Sequence, residues 1–372
     1  MAITKASASG LAGSKFKDAS AGTTKIAALP DAPTIGTVTV SAVTATIPFT
    51  VATKGGTATT FTATSNPGNI TVSSATSPIT ISTLSNNTNY TFTVAGVNAS
   101  GTGPSSAASN SVLAVKPVPA TISYLVVGGG GAPRSNAGGG GGGGGGTQTN
   151  ATLAVSGGTS YGITVAGGGS FPAGVGGTSN GFGASAGGGG TGENQNAGGG
   201  GTSGSPQNNA GAGSQENCGA YSVFYGGGGG GAGQVGQGMS GGSGNQYNSV
   251  YYGGGGGAGG FNFYGNSASG GGGAGGGGSG GAVGQLSFAT YTGGGASAGA
   301  PNTGGGGGGG YGTANNQDQR PGKNGGSGVV ILRYPDSNAD LASISAGLTY
   351  TKSASGGTTI YTFTAGSGNV SW

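Results

Sequence analysis

The sequence predicts an all-β chain with no α-helical domain, from three observations. Short runs of Thr, Val and Ile alternate with period two, helix signals are absent, and Gly supplies 99 of the 372 residues. Four segments follow from these changes of texture: an N-terminal arm (1–28), a β-sandwich (29–116), a glycine-rich domain of polyglycine II helices clamped by β-strands (117–335), and a C-terminal β segment (336–372).

The arm is Ala, Ser, Thr, Gly and Lys, too poor in apolar side chains to fold alone. It carries Lys5, Lys15, Lys17 and Lys25, four of the chain's eleven cations, against Asp18 alone. The expectation is a basic arm that orders by docking onto a partner. The remaining chain is nearly neutral within a net charge of +4, too sparse in cations to release phosphate counterions, so nucleic acid is excluded as the main partner. No apolar core of signal-peptide length follows the first charges, and no stretch approaches the roughly 20 apolar residues of a membrane helix. The chain is expected to be made in a cytoplasm without a signal peptide and without membrane insertion.

The sandwich is read from alternation. Ile47, Phe49 and Val51 are expected on one face, then Ile79 and Ile81, then Tyr90, Phe92 and Val94, with Thr91 and Thr93 outward. Gly, Pro and Asn separate the runs, the pattern of antiparallel strands around one core.

Beyond the hinge KPVPA (116–120), glycine occurs in uninterrupted runs at 128–131, 138–146, 226–231, 253–257 and 304–310. Collagen needs Gly at every third position and is excluded. Disorder is opposed by apolar strands at 125–127, 153–155, 163–165 and 329–332, which punctuate the region. A polyglycine II helix has three residues per turn and no internal hydrogen bonds, so its N–H and C=O groups point outward to neighbours. Close lateral packing on all sides leaves no room for a Cβ, which explains consecutive Gly. Nine such residues span about 28 Å at about 3.1 Å each. Fixing each residue costs about 1–2 kcal/mol against about 1 returned per hydrogen bond, so the array must be tied to ordinary strands. The segment TLAVSGGTSYGITVAGGG is expected to supply a hairpin clamp, and VVILRYP (329–335) a buried strand.

Chemistry is scarce. There is no His, only seven carboxylates, and one Cys, Cys218, which has no intrachain disulfide partner. No catalytic residue, cofactor site or metal site is expected, and the chain is read as a non-enzyme. GxGxxG matches are unavoidable at this Gly content, and Gly322-Lys323 is followed by Asn324 where a phosphate-binding loop needs Ser or Thr. Calcium-binding repeats need an Asp per copy, and 128–328 contains only Asp318.

Two resemblances sharpen this reading. The segment LSNNTNYTFTVAGVNASGTGPSS, with Leu84, Tyr90 at a corner, Asn98 and Gly101, resembles the end of a fibronectin type III domain, as does PDAPTIGTVTVSAVTATIPFTV, with Phe49 where that family places Trp. SYLVVGGGGAP at Ser123 and GGSGVVILRYP at Gly325 resemble the boundaries of a glycine-rich domain recurrent in phage tail and virion proteins. The inserts between them resemble those of tail-fibre adhesins, whose loops contact the host.

That resemblance implies a virion protein, a tail fibre or adhesin, docked on other virion proteins through the Lys-bearing arm; such fibres are usually homotrimers, the state expected here, while separately encoded tip adhesins can be monomers. It implies contact with a host cell-surface glycan or outer-membrane protein. The aromatic loops carry the contact candidates: Tyr221, Phe224 and Tyr225; Tyr247, Tyr251 and Tyr252; Phe261, Phe263 and Tyr264; Phe288 and Tyr291. Aromatics offer large contact area at low entropy cost; they serve equally to cover a glycine core that has no apolar side chains of its own. A capsid decoration or neck fibre protein, and a cellular extracellular filament or matrix protein, are the competing readings.

Overall fold

The computed structural model describes residues 28–134, 140–192, 224–225, 229, 231–234, 236–237, 239–262, 269–280, 284–287, 290–292, 295–313 and 320–372. They contain strands and no helix, and the fold is all-β with no α-helical domain. The chain divides into two compact units, Met1–Pro117 and Val118–Trp372.

The described residues of the first unit form ten strands: β1 (Thr34–Ile35), β2 (Thr39–Ser41), β3 (Thr44–Ile47), β4 (Phe49–Thr50), β5 (Thr60–Asn66), β6 (Thr71–Ser74), β7 (Ile79–Ile81), β8 (Thr88–Asn98), β9 (Gly101–Ser105) and β10 (Val112–Ala114). One sheet runs β2-β3-β7, another β10-β8-β5-β6 with β9 on β8, and β1 pairs with β4. The alternating residues of both sheets form one core: Ala45, Ile47, Ile79 and Ile81 from the first, Phe61, Ala63, Tyr90, Phe92 and Val94 from the second. Each large side chain buried this way contributes about 1.5–3 kcal/mol. The expected Ile47-Phe49-Val51 face is interrupted: Ile47 and Phe49 are buried, but β4 ends at Thr50 and Val51 is exposed. The Tyr90 hydroxyl accepts a hydrogen bond from Ser85 N–H at 3.0 Å, and Asn98 Oδ1 accepts one from Ser100 N–H at 2.9 Å.

The second unit is organised by β11 (Thr121–Val127), β12 (Thr147–Ala154), β13 (Tyr161–Val165), β14 (Ser179–Gly181), β15 (Ala184–Ala186), β23 (Val329–Pro335), β24 (Ser343–Ile344), β25 (Leu348–Ser355) and β26 (Thr358–Ser371). Their sheet runs β12-β11-β23-β26-β13-β14-β15, with β24 and β25 on β26. The long strand β26 joins two halves. Residues 358–363 pair with β23 and residues 366–370 with β13. Between them Gly366 takes φ +95°, and a Cβ there would strike the Gly347 carbonyl, so only glycine permits the turn. The sheet therefore folds over itself. Tyr124 of β11 stacks on Phe182 of the β14–β15 turn at 5.7 Å, and Val126, Leu332, Phe363, Ile163, Val370 and Trp372 fill the core between the halves.

One expectation is corrected by this topology. The segment after β12 does turn, with Gly158 at φ +75° and Tyr161 OH accepting from Ser156 N–H at 3.1 Å. Its two strands do not pair as a hairpin, because β12 lies on β11 and β13 on β26. Within residues 336–372, the C-terminal β segment, β26 lies between β23 and β13 and belongs to the same unit as the glycine runs.

The glycine runs grow out of this sheet. Run 128–131 continues β11, run 140–146 leads into β12, and 187–190 continues β15. Their buried backbones bond laterally with a three-residue repeat. Gly128 and Gly131 donate to Gly146 and Gly143, while Gly129 and Gly130 turn to Gly177 and Gly326. Gly142 and Gly145 donate to Gly307 and Gly304, and Gly143 and Gly146 to Gly190 and Gly187. Gly306 and Gly309 donate to Gly254 and Gly257. Successive N–H groups that rotate among neighbours and return every third residue have the three-residue turn of polyglycine II. Strands that already hold the chain extended supply the ordering that isolated glycine lacks.

Candidate functional site

Three of the predicted contact residues lie on one hairpin. Strands β17 (Asn245–Tyr247) and β18 (Val250–Tyr252) pair antiparallel across Asn248 and Ser249, both at positive φ (47° and 65°), the conformation of a two-residue type I′ turn. The hairpin leads directly into run 253–257. It lies over the second face of the β11–β23 sheet, where Tyr247, Tyr252 and Ile360 pack on Leu125, Val127, Val329 and Ile331. Asn245 Nδ2 donates to Thr147 Oγ1 at 2.7 Å and pins the hairpin to β12.

The three tyrosines therefore differ. Tyr247 and Tyr252 are half-buried packing residues, whereas Tyr251 is 42% exposed on the opposite face. Burial raises the Tyr252 phenol above its ordinary pKa, reinforced by Tyr247 and opposed by the Arg333 guanidinium. The Tyr247 hydroxyl is buried and has no hydrogen-bond partner among the described residues.

Other candidates are placed only through their backbone. Phe224 and Tyr225 form β16 (Phe224–Tyr225), which pairs with β19 (Gly260–Asn262), setting Phe224 opposite Phe261. Thus two of the predicted loops meet in one small sheet, extended by β22 (Gly312–Thr313). Tyr291 lies in β21 (Thr290–Thr292), paired with β20 (Gly284–Ser287). Tyr221, Phe263, Tyr264 and Phe288 lie outside the described residues, as do Lys5, Lys15, Lys17 and Lys25.

The sheet face under the hairpin changes character along its strands. Outward positions on β11 read Val127, Leu125, Ser123, and on β23 Val329, Ile331, Arg333; Ser123 is paired directly with Arg333. The apolar residues lie beneath Tyr247 and Tyr252. Where the hairpin turn ends, the polar pair begins, and a groove of about 570 Å³ opens between the turn and the sheet. Ser123, Thr149 and Arg333 line it from the sheet, Gln246, Tyr247 and Asn248 from the hairpin. Sequence reading missed Arg333, Gln246 and Ser123. The signal was present in VVILRYP: one charge at an outward position of an otherwise apolar strand. A second groove of about 660 Å³ follows the face of β13, β14 and β26 and is lined by small residues such as Thr164, Asn180 and Ser367.

Among the described residues no three His, Cys, Asp or Glu side chains converge. A family model described as a glycine-rich domain matches residues 106–335, more than half of the chain. No curated protein sequence matches it.

Proposed function

The chain belongs to the glycine-rich domain family, and from that premise we propose that it is a non-enzymatic structural protein of a bacteriophage virion, a tail fibre or adhesin. The observation that carries this reading is the polyglycine array itself. Its described runs are buried backbone bonded laterally, so it is suited to bearing load and holding loops still. Aromatic inserts emerge from such a frame with their ordering already in place, which lowers the entropy cost of binding. Tyr251, exposed on a hairpin whose other tyrosines are packed down, is the described candidate for host contact.

The first unit fits a fibronectin type III-like spacer. Its Tyr90–Ser85 corner and the Asn98–Gly101 turn are the supporting features. In this reading the basic arm docks on the virion, the spacer projects the glycine-rich unit, and trimerisation multiplies weak contacts to host glycan or outer-membrane protein. Locating the protein on a virion by cryo-electron microscopy tests it. A fibre or fibre-tip position is expected; a position on the head shell overturns the attachment role in favour of decoration.

A further inference from the structure

We propose that the groove between the β17–β18 turn and the β11–β23 sheet is a binding site for an acidic saccharide unit, with the sugar carboxylate on Arg333. Four observations converge on it. Arg333 is partly buried and lines the groove, and its guanidinium has no ion-pair or hydrogen-bond partner among the described residues. No carboxylate side chain lines the groove to neutralise it. The Tyr247 ring forms part of the groove wall, and its buried hydroxyl has no hydrogen-bond partner among the described residues. Gln246, exposed on β17, and Asn248, exposed on the turn, bring amides that both donate and accept to the rim of a groove also lined by Ser123 and Thr149.

The chemistry selects the ligand. A guanidinium presents a planar fork that matches a carboxylate in two parallel hydrogen bonds. A lone Arg is a poor match for a phosphate dianion, which calls for more than one cation or a nest of backbone N–H groups. Amide and hydroxyl groups on both walls suit the vicinal hydroxyls of a sugar ring. A groove of about 570 Å³ accommodates one or two such rings. A hexuronic acid residue within a surface polysaccharide meets all of these demands, and an unmodified neutral hexose leaves Arg333 unmet.

The proposal deepens the attachment reading by naming the chemical class recognised, and it rests on that reading only for where the sugar is encountered. Binding is measured on the purified full chain with digalacturonate and, as the uncharged control, digalactose, by saturation-transfer NMR and titration. Digalacturonate is expected to bind at least about tenfold more tightly than digalactose, with affinity falling as salt rises. Arg333→Gln should abolish that preference, Arg333→Lys should restore part of it, and Gln246→Ala should weaken both sugars several-fold. Thermal melts of each variant establish that the fold is retained, and the salt dependence of the unsubstituted chain reads the same contact should R333Q not fold. Equal binding of the two sugars, binding of neither, or an R333Q chain that is folded and keeps its preference overturns the site. Saccharide binding that persists in a protein unable to attach to susceptible cells overturns the attachment reading and leaves the site standing.

Discussion

Replacing Gly145 by alanine tests whether the glycine array is a packed solid. Gly145 sits inside run 140–146, donates to Gly304 O at 2.7 Å, and is followed by Gly146, which donates to Gly187 and accepts from Gly128 N–H at 2.9 Å. A Cβ at this position would lie 2.5 Å from the carbonyl carbon of Gly128 and nearer still to its oxygen. That neighbour is backbone, and run 128–131 is held on its other sides by bonds to Gly177 and Gly326, so it has nowhere to withdraw. Accommodation must therefore stretch or break at least two buried hydrogen bonds, at about 1–3 kcal/mol each, and add overpacking strain of about 1–3 kcal/mol. The sum, about 3–9 kcal/mol, is a large part of a stability of about 5–15 kcal/mol. For a unit of this size each kcal/mol moves the midpoint by about 2–4 °C, so a fall of roughly 6 °C or more is expected in calorimetry. Gly167→Ala is the matched control. A Cβ there meets nothing within 4 Å, and the change should leave the stability within about 1 kcal/mol of the parent. Equal melting of the two variants would refute close packing of the runs.

Three further outcomes follow from the sheet and its hairpin. Tyr252→Ala should destabilise the second unit by about 2–4 kcal/mol, because it uncovers Leu125, Val127, Val329 and Ile331, whereas Tyr251→Ala should leave the melt unchanged and weaken cell attachment; the opposite pattern would reverse the packing and contact roles. Trp372→Ala, which removes the chain's single Trp from its edge contacts with Tyr161 (5.9 Å) and Tyr334 (5.7 Å), should cost about 3–5 kcal/mol in urea titrations followed by tyrosine circular dichroism. Alkaline pH should unfold the protein: burial raises the phenols of Tyr334, Tyr361, Tyr124 and Tyr252 above their ordinary value of about 10, so the unfolded chain loses those protons first. Their stabilisation is complete below about pH 10 and is lost as pH rises through the folded values, and Lys352, raised by its bond to the half-exposed Asp340, adds less than about 1 kcal/mol of the same sign. With no His in the chain, stability measured by urea titration should show no histidine step between about pH 5 and 8, and a Tyr334→Phe variant should lose less stability at high pH than the parent.

What the sequence made legible was local. Alternation at Tyr90, Phe92 and Val94 gave a strand with its buried face correctly assigned, and VVILRYP a strand buried along Val330 and Leu332. The apparent hairpin around Gly157 and Gly158 shows where such reading stops, since a turn signal fixes a reversal of the chain but not which partner each strand takes. That choice lies with β26, whose bend at Gly366 depends on a backbone conformation no periodicity reports. The groove was illegible for a related reason. Arg333 stands out in its strand, but Gln246, Asn248 and Ser123 become its neighbours only through the docking of β17–β18, which depends on the burial of Tyr247 and Tyr252 more than a hundred residues after β11.

The extent of the family match and the extent of the fold do not coincide, and the difference bears on how the array is held together. The matched segment ends at Pro335, the last residue of β23. Every residue of β23 from Val330 to Pro335 is paired with β26, which lies beyond that point, and the core that closes over Tyr124, Val126 and Leu332 takes Tyr361, Phe363, Val370 and Trp372 from the same strand and its end. A chain stopped at the edge of the match would leave one side of β23 unpaired and one side of the core open. Because runs 128–131 and 140–146 issue directly from β11 and β12, and 187–190 from β15, that loss would pass from the sheet into the glycine array, whose bonds each return about as much as their ordering costs. The glycine-rich domain is thus an array of marginal intrinsic stability, registered by an apolar sheet that strands outside the glycine-rich sequence complete.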